Sequence, residues 1–173
     1  MQQKWGIRGM AVAPHSLASE SALAVLRERG NALEAMVAAA ATIAVVYPHM
    51  NSIGGDSFWV VHSPGKAMGG IDACGAAAGL ATKEWYAEHG VSKAIPFRGA
   101  IAANTVAGTI SGWGAAQELS KKGLKGKLPL SRLLADAIEY AEKGVPVTYS
   151  QSSLTAKKRE ELINIPGFAK TFL

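Results

Sequence analysis

The fold is decided by the stretch NALEAMVAAAATIAVVYPHM (residues 31–50), followed by NSIGGDSFWVVHSPGKAMGGIDAC (51–74). The first part is apolar on almost every side and rich in small residues, so it predicts a buried helix that its neighbours approach closely. Asn31 offers an N-cap, and Glu34 stands three residues later, as in a capping box. We therefore expect a central helix that starts after Asn31 and ends near Tyr47.

A β-hairpin is predicted directly after this helix. Gly54 and Gly55 permit a tight turn, and residues 57–63 are rich in aromatic and β-branched side chains that favour a strand. A turn at Pro64-Gly65 would let residues 67–74 pair antiparallel with that strand. Two strands beside one helix leave sheet edges and faces uncovered, so the remaining strands are expected elsewhere in the protein.

Further helices are predicted on both sides of the hairpin. The first has Ser16 as its N-cap and stops at Gly30. Later ones are predicted over 82–90, 105–119, 130–143 and 150–164, with an extended stretch at 100–103. Nothing marks a domain boundary, so residues 1–173 are expected to form a single partial domain.

The composition indicates a globular protein. Of the 173 residues 49% are hydrophobic and 18% charged, which is enough apolar material for a sizeable core. Cys74 is the single cysteine, which excludes an internal disulfide framework and any Cys/His metal cluster. The 19 glycines show no collagen period.

Charge and hydropathy indicate neither a nucleic-acid nor a membrane partner. The formal charge is +5, but the lysines near 121–127 and 157–158 lack aromatic interleaving and are interpreted as solvated faces. The longest apolar run, 35–47, is too short to cross a bilayer, and the first residues lack a signal peptide's apolar core. We expect a cytoplasmic protein, unless an upstream signal has been removed.

Familiar catalytic motifs are absent from the sequence. There is no Gly-x-Ser-x-Gly elbow and no P-loop, and the segment starting at Gly112 lacks the third glycine of a dinucleotide fingerprint. The four histidines, at 15, 49, 62 and 89, have no metal-ligand spacing. We therefore assign no catalytic residue, metal or cofactor to this chain.

Three side chains near the glycine turn remain as candidates. Cys74 has no basic neighbour in sequence, so a small buried hydrophobe is the more frequent role for it than a nucleophile. Asp56 and Asp72 lie beside glycines, where a carboxylate either orients a substrate amine or accepts local backbone N–H groups. Local bonds are the more frequent of these two roles.

Four segments, GMAVAPHS (9–16), RGNALEAMVAAA (29–40), YPHMNSIGGDSF (47–58) and LPLSRLLADAIEYAEKGVPV (128–147), resemble the N-terminal region of the γ-glutamyltransferase family. The resemblance implies an α+β fold, part of a four-layer αββα N-terminal-nucleophile hydrolase sandwich that is incomplete in this chain. It implies a precursor that cleaves itself and frees a threonine at the start of a small subunit. This chain resembles only the front of the large subunit.

The resemblance also points to a specificity position. Family γ-glutamyl enzymes hold the substrate carboxylate with an arginine in a pattern like Asp-Phe-Arg-Glu-x-Ala-Pro, whereas this sequence has DACGAAA from Asp72. Cys74 stands in the arginine's place, and a thiol cannot replace the charged, bidentate guanidinium. By this resemblance Cys74 and Asp72 are the candidate substrate-binding residues.

Three functional hypotheses follow, in decreasing order of support. The first is an autoprocessed amidohydrolase or acyltransferase whose substrate is a small amide or acylated amine instead of a γ-glutamyl compound. Its partners are the rest of the large subunit and a small catalytic subunit, and this fragment alone is inactive. The second is a non-catalytic relative that acts as a binding or interaction module. The third is a nucleotide-binding module, which only the glycine content and the positive charge support.

Overall fold

The computed structural model describes residues 5–173, which form helices around a single β-hairpin. The α-helices are α1 (Ser16–Arg27), α2 (Ala32–Val46), α3 (Lys83–Glu88), α4 (Thr109–Leu124), α5 (Leu130–Lys143), α6 (Tyr149–Lys157), α7 (Arg159–Leu162) and α8 (Phe168–Phe172). The strands are β1 (Ser57–Val61) and β2 (Gly69–Ala73), and a 3-10 helix spans Ala100–Ala102. None of the helices in this part of the chain is long and apolar enough to cross a membrane.

Helix α2 is the centre of the molecule, as its composition predicted. It packs against α1, α4 and α5. Val37 and Ala38 are fully buried, and Leu33 is almost so. The four consecutive alanines from Ala38 leave room for neighbouring helices to approach α2 closely. The hydrophobic core of the described chain is therefore built around this helix.

The N-cap of α1 differs from the prediction. Ser16 is the first helical residue, and His15 is the cap. The His15 Nδ1 accepts a hydrogen bond from the Leu17 N–H at 3.2 Å, so an imidazole does what a serine hydroxyl was expected to do. Gly30 follows the helix as predicted, where a Cβ would lie 2.6 Å from a methyl group of Val25.

The Glu34 carboxylate joins the start of α2 to the connection between α4 and α5. It is buried, and its Oε2 accepts the Asn31 N–H at 2.8 Å, which confirms the capping box. Its Oε1 accepts two more backbone N–H groups, from Lys127 at 2.7 Å and Leu128 at 2.8 Å. One side chain thus satisfies donors that lie more than ninety residues apart in sequence.

Asn31 and Gly126 also take part in this contact between α2, α4 and the loop before α5, which we call the polar joint. The Asn31 side chain donates to Ser120 Oγ at 2.8 Å, so the cap is tied to α4 as well. At Gly126 a Cβ would lie 2.0 Å from Ser120 Oγ and 3.0 Å from Glu34 Oε1. Only glycine lets the loop backbone come this close to the buried carboxylate.

The hairpin is confirmed with strands slightly shorter than predicted. Strands β1 and β2 are antiparallel, with Ser57 opposite Ala73 and Val61 opposite Gly69. Trp59 packs on the helical core from the inner face. On the outer face Phe58 is 69% exposed and Val60 80% exposed, so this side of the two-stranded sheet is apolar and uncovered.

Three predicted elements need correction. The stretch expected to be extended at 100–103 contains a 3-10 helix over Ala100–Ala102, and the chain meets the segment after β2 through an isolated bridge between Ala77 and Thr105 instead. Because residues 105–108 bond to the segments that flank the hairpin, α4 begins at Thr109 and not at Thr105. The helix expected over 150–164 is broken at Lys158 into α6 and α7.

Replacing Glu34 tests the polar joint. In the complete protein, Glu34→Ala should lower the free energy of unfolding by about 2–4 kcal/mol, because three backbone N–H groups lose their acceptor in a buried place. Urea titration followed by circular dichroism measures this change. Glu142→Ala, at an exposed position of α5, is the matched control and should have little effect. Equal losses in the two variants would contradict the structural role of Glu34.

Candidate functional site

The candidate site lies where the glycine turn before β1 meets the N-terminus of α4. Gly108 is the N-cap of α4 and has no side chain to accept the free N–H groups there. The Gly55 carbonyl takes this role, accepting the N–H of Gly108 at 3.0 Å and that of Thr109 at 2.9 Å. The Thr109 hydroxyl donates to the same oxygen at 2.7 Å. The turn and the helix are thus fixed to one another.

Close backbone crossings hold the end of β2 against the same helix. A Cβ on Gly75 would lie 1.4 Å from the Val106 carbonyl oxygen, and one on Gly108 would lie 2.0 Å from the Ala73 oxygen. At Gly112 a Cβ would come within 2.7 Å of the Ala73 Cβ. Glycines at these three positions therefore let the end of β2 pack closely against the start of α4, whereas a Cβ on Gly114 of the same helix would meet nothing within 4 Å.

Asp56, Asp72 and Cys74 are brought together at this crossing. Asp72 Oδ1 accepts the Cys74 N–H at 3.0 Å, and Asp56 Oδ1 accepts the Gly75 N–H at 3.1 Å. The Cys74 thiol donates to Asp56 Oδ2 at 3.5 Å. Asp72 therefore accepts a local backbone N–H group, as expected, whereas the N–H group that Asp56 accepts belongs to a residue 19 positions away in sequence. The contact between Asp56 and the thiol was not expected from the sequence.

Cys74 is exposed, so the expectation of a buried thiol is wrong. Ala73 points inward and is 7% exposed, and side chains alternate along an extended chain, which places Cys74 on the open side. Its pKa is raised, chiefly because the thiol proton is shared with Asp56 and also because the charges of Asp56 and Asp72 disfavour a thiolate. The site presents a neutral thiol flanked by two carboxylates.

This arrangement offers hydrogen bonds to a ligand but no positive charge. Neither Asp56 nor Asp72 forms an ion pair within residues 5–173. A cysteine with a raised pKa is a poor nucleophile, because the thiolate is the reactive form. Among the described residues no group of three or more His, Cys, Asp or Glu side chains is arranged to hold a metal ion.

The predicted hairpin would have indicated the contact between Asp56 and Cys74 if its register had been known. The strands are antiparallel and Ser57 pairs with Ala73, so the preceding Asp56 lies next to the following Cys74. The two residues stand 18 positions apart, so inspection of local sequence alone does not connect them. The strand register, which composition does not fix, decides the contact.

A protein-family model described as gamma-glutamyltranspeptidase matches residues 18–173. Over 165 residues the chain is 60% identical to the oxamate amidohydrolase proenzyme of Klebsiella pneumoniae, covering 95% of this chain and 31% of that protein. It is 38% identical over 168 residues to the glutathione hydrolase-like YwrD proenzyme of Bacillus subtilis, covering 96% of this chain and 30% of that protein. The chain thus spans under a third of these relatives.

Solved structures agree with this family match. The crystal structure of Helicobacter pylori gamma-glutamyltranspeptidase superposes with a TM-score of 0.83 at 32% identity, covering 95% of this chain and 46% of that chain. Gamma-glutamyltranspeptidase from Pseudomonas nitroreducens gives a TM-score of 0.75 at 28% identity, covering 96% and 48%. The predicted fold class, a partial α+β fold of the N-terminal-nucleophile hydrolase type, is confirmed.

Removing the charge of Asp56 tests the electrostatics of the site. Asp56→Asn should lower the pKa of Cys74 toward the ordinary thiol value, because the largest cause of its elevation is lost. At a fixed pH below that pKa, more of the thiol is then ionised and alkylation by iodoacetamide becomes faster. The pH profile of alkylation, followed by mass spectrometry of the Cys74 peptide, measures the shift.

Asp72→Asn is the control for this experiment. Asp72 raises the pKa of Cys74 through its charge alone, and its contribution is the smallest. Its replacement should therefore change the pKa of Cys74 less than the replacement of Asp56 does. An unchanged alkylation profile in Asp56→Asn would show that the thiol does not share its proton with that carboxylate.

Proposed function

Because the chain belongs to the gamma-glutamyltranspeptidase family, we propose that it is the front of the large subunit of an autoprocessed amidohydrolase or acyltransferase. The two relatives described above are named as proenzymes and are more than three times as long as the matched segment. Residues 1–173 are then a single partial domain, completed by the rest of the large subunit and by a small catalytic subunit. The uncovered apolar face around Phe58 and Val60 supports a further layer, supplied by those parts of the protein, that packs on the hairpin.

The nucleophile of the proposed enzyme is a threonine freed at the start of the small subunit. Its hydroxyl attacks the amide carbonyl, its own α-amine takes the proton, and backbone N–H groups stabilise the oxyanion. The amine of the substrate leaves, and water or an acceptor amine then releases the acyl group from the threonine. Residues 1–173 contribute to the substrate pocket and not to this nucleophilic step.

The substrate class follows from the surroundings of Cys74, the observation that carries this proposal. The family resemblance places a carboxylate-binding arginine at this position, and here a neutral thiol stands between Asp56 and Asp72. A substrate carboxylate docked there would meet two like charges, and neither aspartate is paired with a cation within residues 5–173. We therefore propose that the substrate is an amide without the α-amino acid end of a γ-glutamyl compound.

The 60% identity to an oxamate amidohydrolase proenzyme makes small primary amides, oxamate among them, the substrates to test. Oxamate is an anion, but its carboxylate is bonded directly to the amide carbon and so lies beside the reacting threonine, whereas three carbons separate the two groups in a γ-glutamyl compound. Hydrolysis of such an amide consumes one water and releases ammonia and a carboxylate. In this proposal Cys74 and Asp72 line the substrate pocket, where Cys74 has a hydrogen-bonding role and Asp72 positions its backbone.

A substrate panel tests the proposal on the complete, processed protein. Ammonia release from oxamate and from neutral primary amides, and anilide release from a γ-glutamyl anilide, are measured as kcat/KM. We expect a small amide to exceed the γ-glutamyl compound by about a hundredfold or more, since a lost charged hydrogen-bond pair is worth about 1.5–3 kcal/mol or more. A preference for the γ-glutamyl compound would refute the proposed substrate class.

The variant Cys74→Arg tests the position directly. A guanidinium at residue 74 should raise kcat/KM for the γ-glutamyl anilide by about tenfold or more, because it offers a bidentate partner to the carboxylate. Cys74→Ser, which keeps a neutral hydrogen-bonding group, is the control and should not change this activity. An equal response of the two variants would show that residue 74 does not face the substrate carboxylate.

A further inference from the structure

A cavity separate from the candidate site lies between the segment after α2 and the last three helices. Its volume is about 260 Å³. Leu154 of α6 and Leu162 of α7 form one part of its wall, and Phe168 and Phe172 of α8 form another. The two phenylalanine rings contact each other with their centres 5.4 Å apart. The cavity therefore has an apolar interior suited to a small ring or aliphatic chain.

The charged groups in the cavity wall are both cationic. Arg98 and Lys158 line it, and no acidic side chain does. Glu161 lies outside the wall and pairs with both of them, with Lys158 at 2.8 Å. Arg98, Lys158 and Glu161 together carry a net charge of about +1. A ligand with a single negative charge would neutralise it.

One buried polar atom in the wall lacks a partner. His49 Nε2 lies 3.2 Å from Ser150 Oγ, whereas its buried Nδ1 has no hydrogen-bond partner in the described chain. Buried polar groups are normally hydrogen-bonded, so the His49 Nδ1 points to a polar ligand at the site. Gln151 also lines the wall, and its side-chain amide, which makes no hydrogen bond to another described residue, is available to bind the same ligand.

We propose that this cavity binds a small monocarboxylate with an apolar body. The carboxylate of the ligand receives charge-assisted hydrogen bonds from the N–H groups of Arg98 and Lys158 that Glu161 leaves free. Gln151 donates to it or to a polar substituent, and the ring or chain rests against Leu162 and Phe168. A cavity of about 260 Å³ holds a molecule of the size of benzoate. The site is separate from Cys74 and does not depend on the proposed activity.

Calorimetric titration of the complete, processed protein with benzoate tests this site. Benzamide, which has the same shape without the charge, is the comparison ligand. We expect benzoate to bind in the micromolar to millimolar range and benzamide about tenfold or more weakly, because the neutral amide loses the charge-assisted bonds. Equal binding of the two, or no benzoate binding at millimolar concentration, would overturn the proposal.

Variants assign the binding to this cavity. Arg98→Gln should weaken benzoate binding about tenfold or more, and Arg98→Lys, which keeps the charge, should weaken it less. Lys157→Gln removes an exposed cation that is next to Lys158 but lies outside the wall, and it should leave binding unchanged. Thermal unfolding shows whether each variant is folded. Benzoate binding that is equally strong in folded Arg98→Gln would place the ligand elsewhere and refute the site.

Discussion

The buried carboxylate of Glu34 is the interaction on which the arrangement of the helices depends. It receives three backbone N–H groups, one from the start of α2 and two from the loop before α5, while Asn31 ties the same point to Ser120 of α4. A buried carboxylate is costly unless it is fully hydrogen-bonded, so the loop has little freedom to move away. With α2, α4 and α5 held at one end, the position of the α4 N-terminus follows.

That N-terminus is where the hairpin is anchored. The Gly55 carbonyl caps α4, and the glycines at 75, 108 and 112 let the two backbones cross almost in contact. The crossing fixes two successive peptide groups, because Asp72 accepts the N–H of Cys74 and Asp56 accepts the N–H of Gly75. The chemistry at residue 74 is therefore set by backbone packing, and a side chain placed there has a defined direction toward solvent.

Much of the fold was predictable from the sequence because it depends on local residue patterns. The capping box at Asn31, the buried alanine-rich helix and the hairpin follow from residue patterns over a few turns, and the family resemblance supplied the remaining fold. The exposure of Cys74 depends on strand register, and the late start of α4 depends on backbone contacts of residues 105–108 with distant segments. Local patterns encode neither of these. His15 was missed as a cap because histidine has a weaker statistical preference for that position than the neighbouring serine.

The proposed substrate class depends on residue 74, where the family resemblance places a carboxylate-binding arginine and this chain has a neutral thiol beside Asp56 and Asp72. The most direct test is competition by L-glutamate against amide hydrolysis by the complete, processed protein. Without a clamp, millimolar L-glutamate should not inhibit measurably. Competitive inhibition by micromolar L-glutamate would mean that another cation binds the carboxylate, and it would contradict the account.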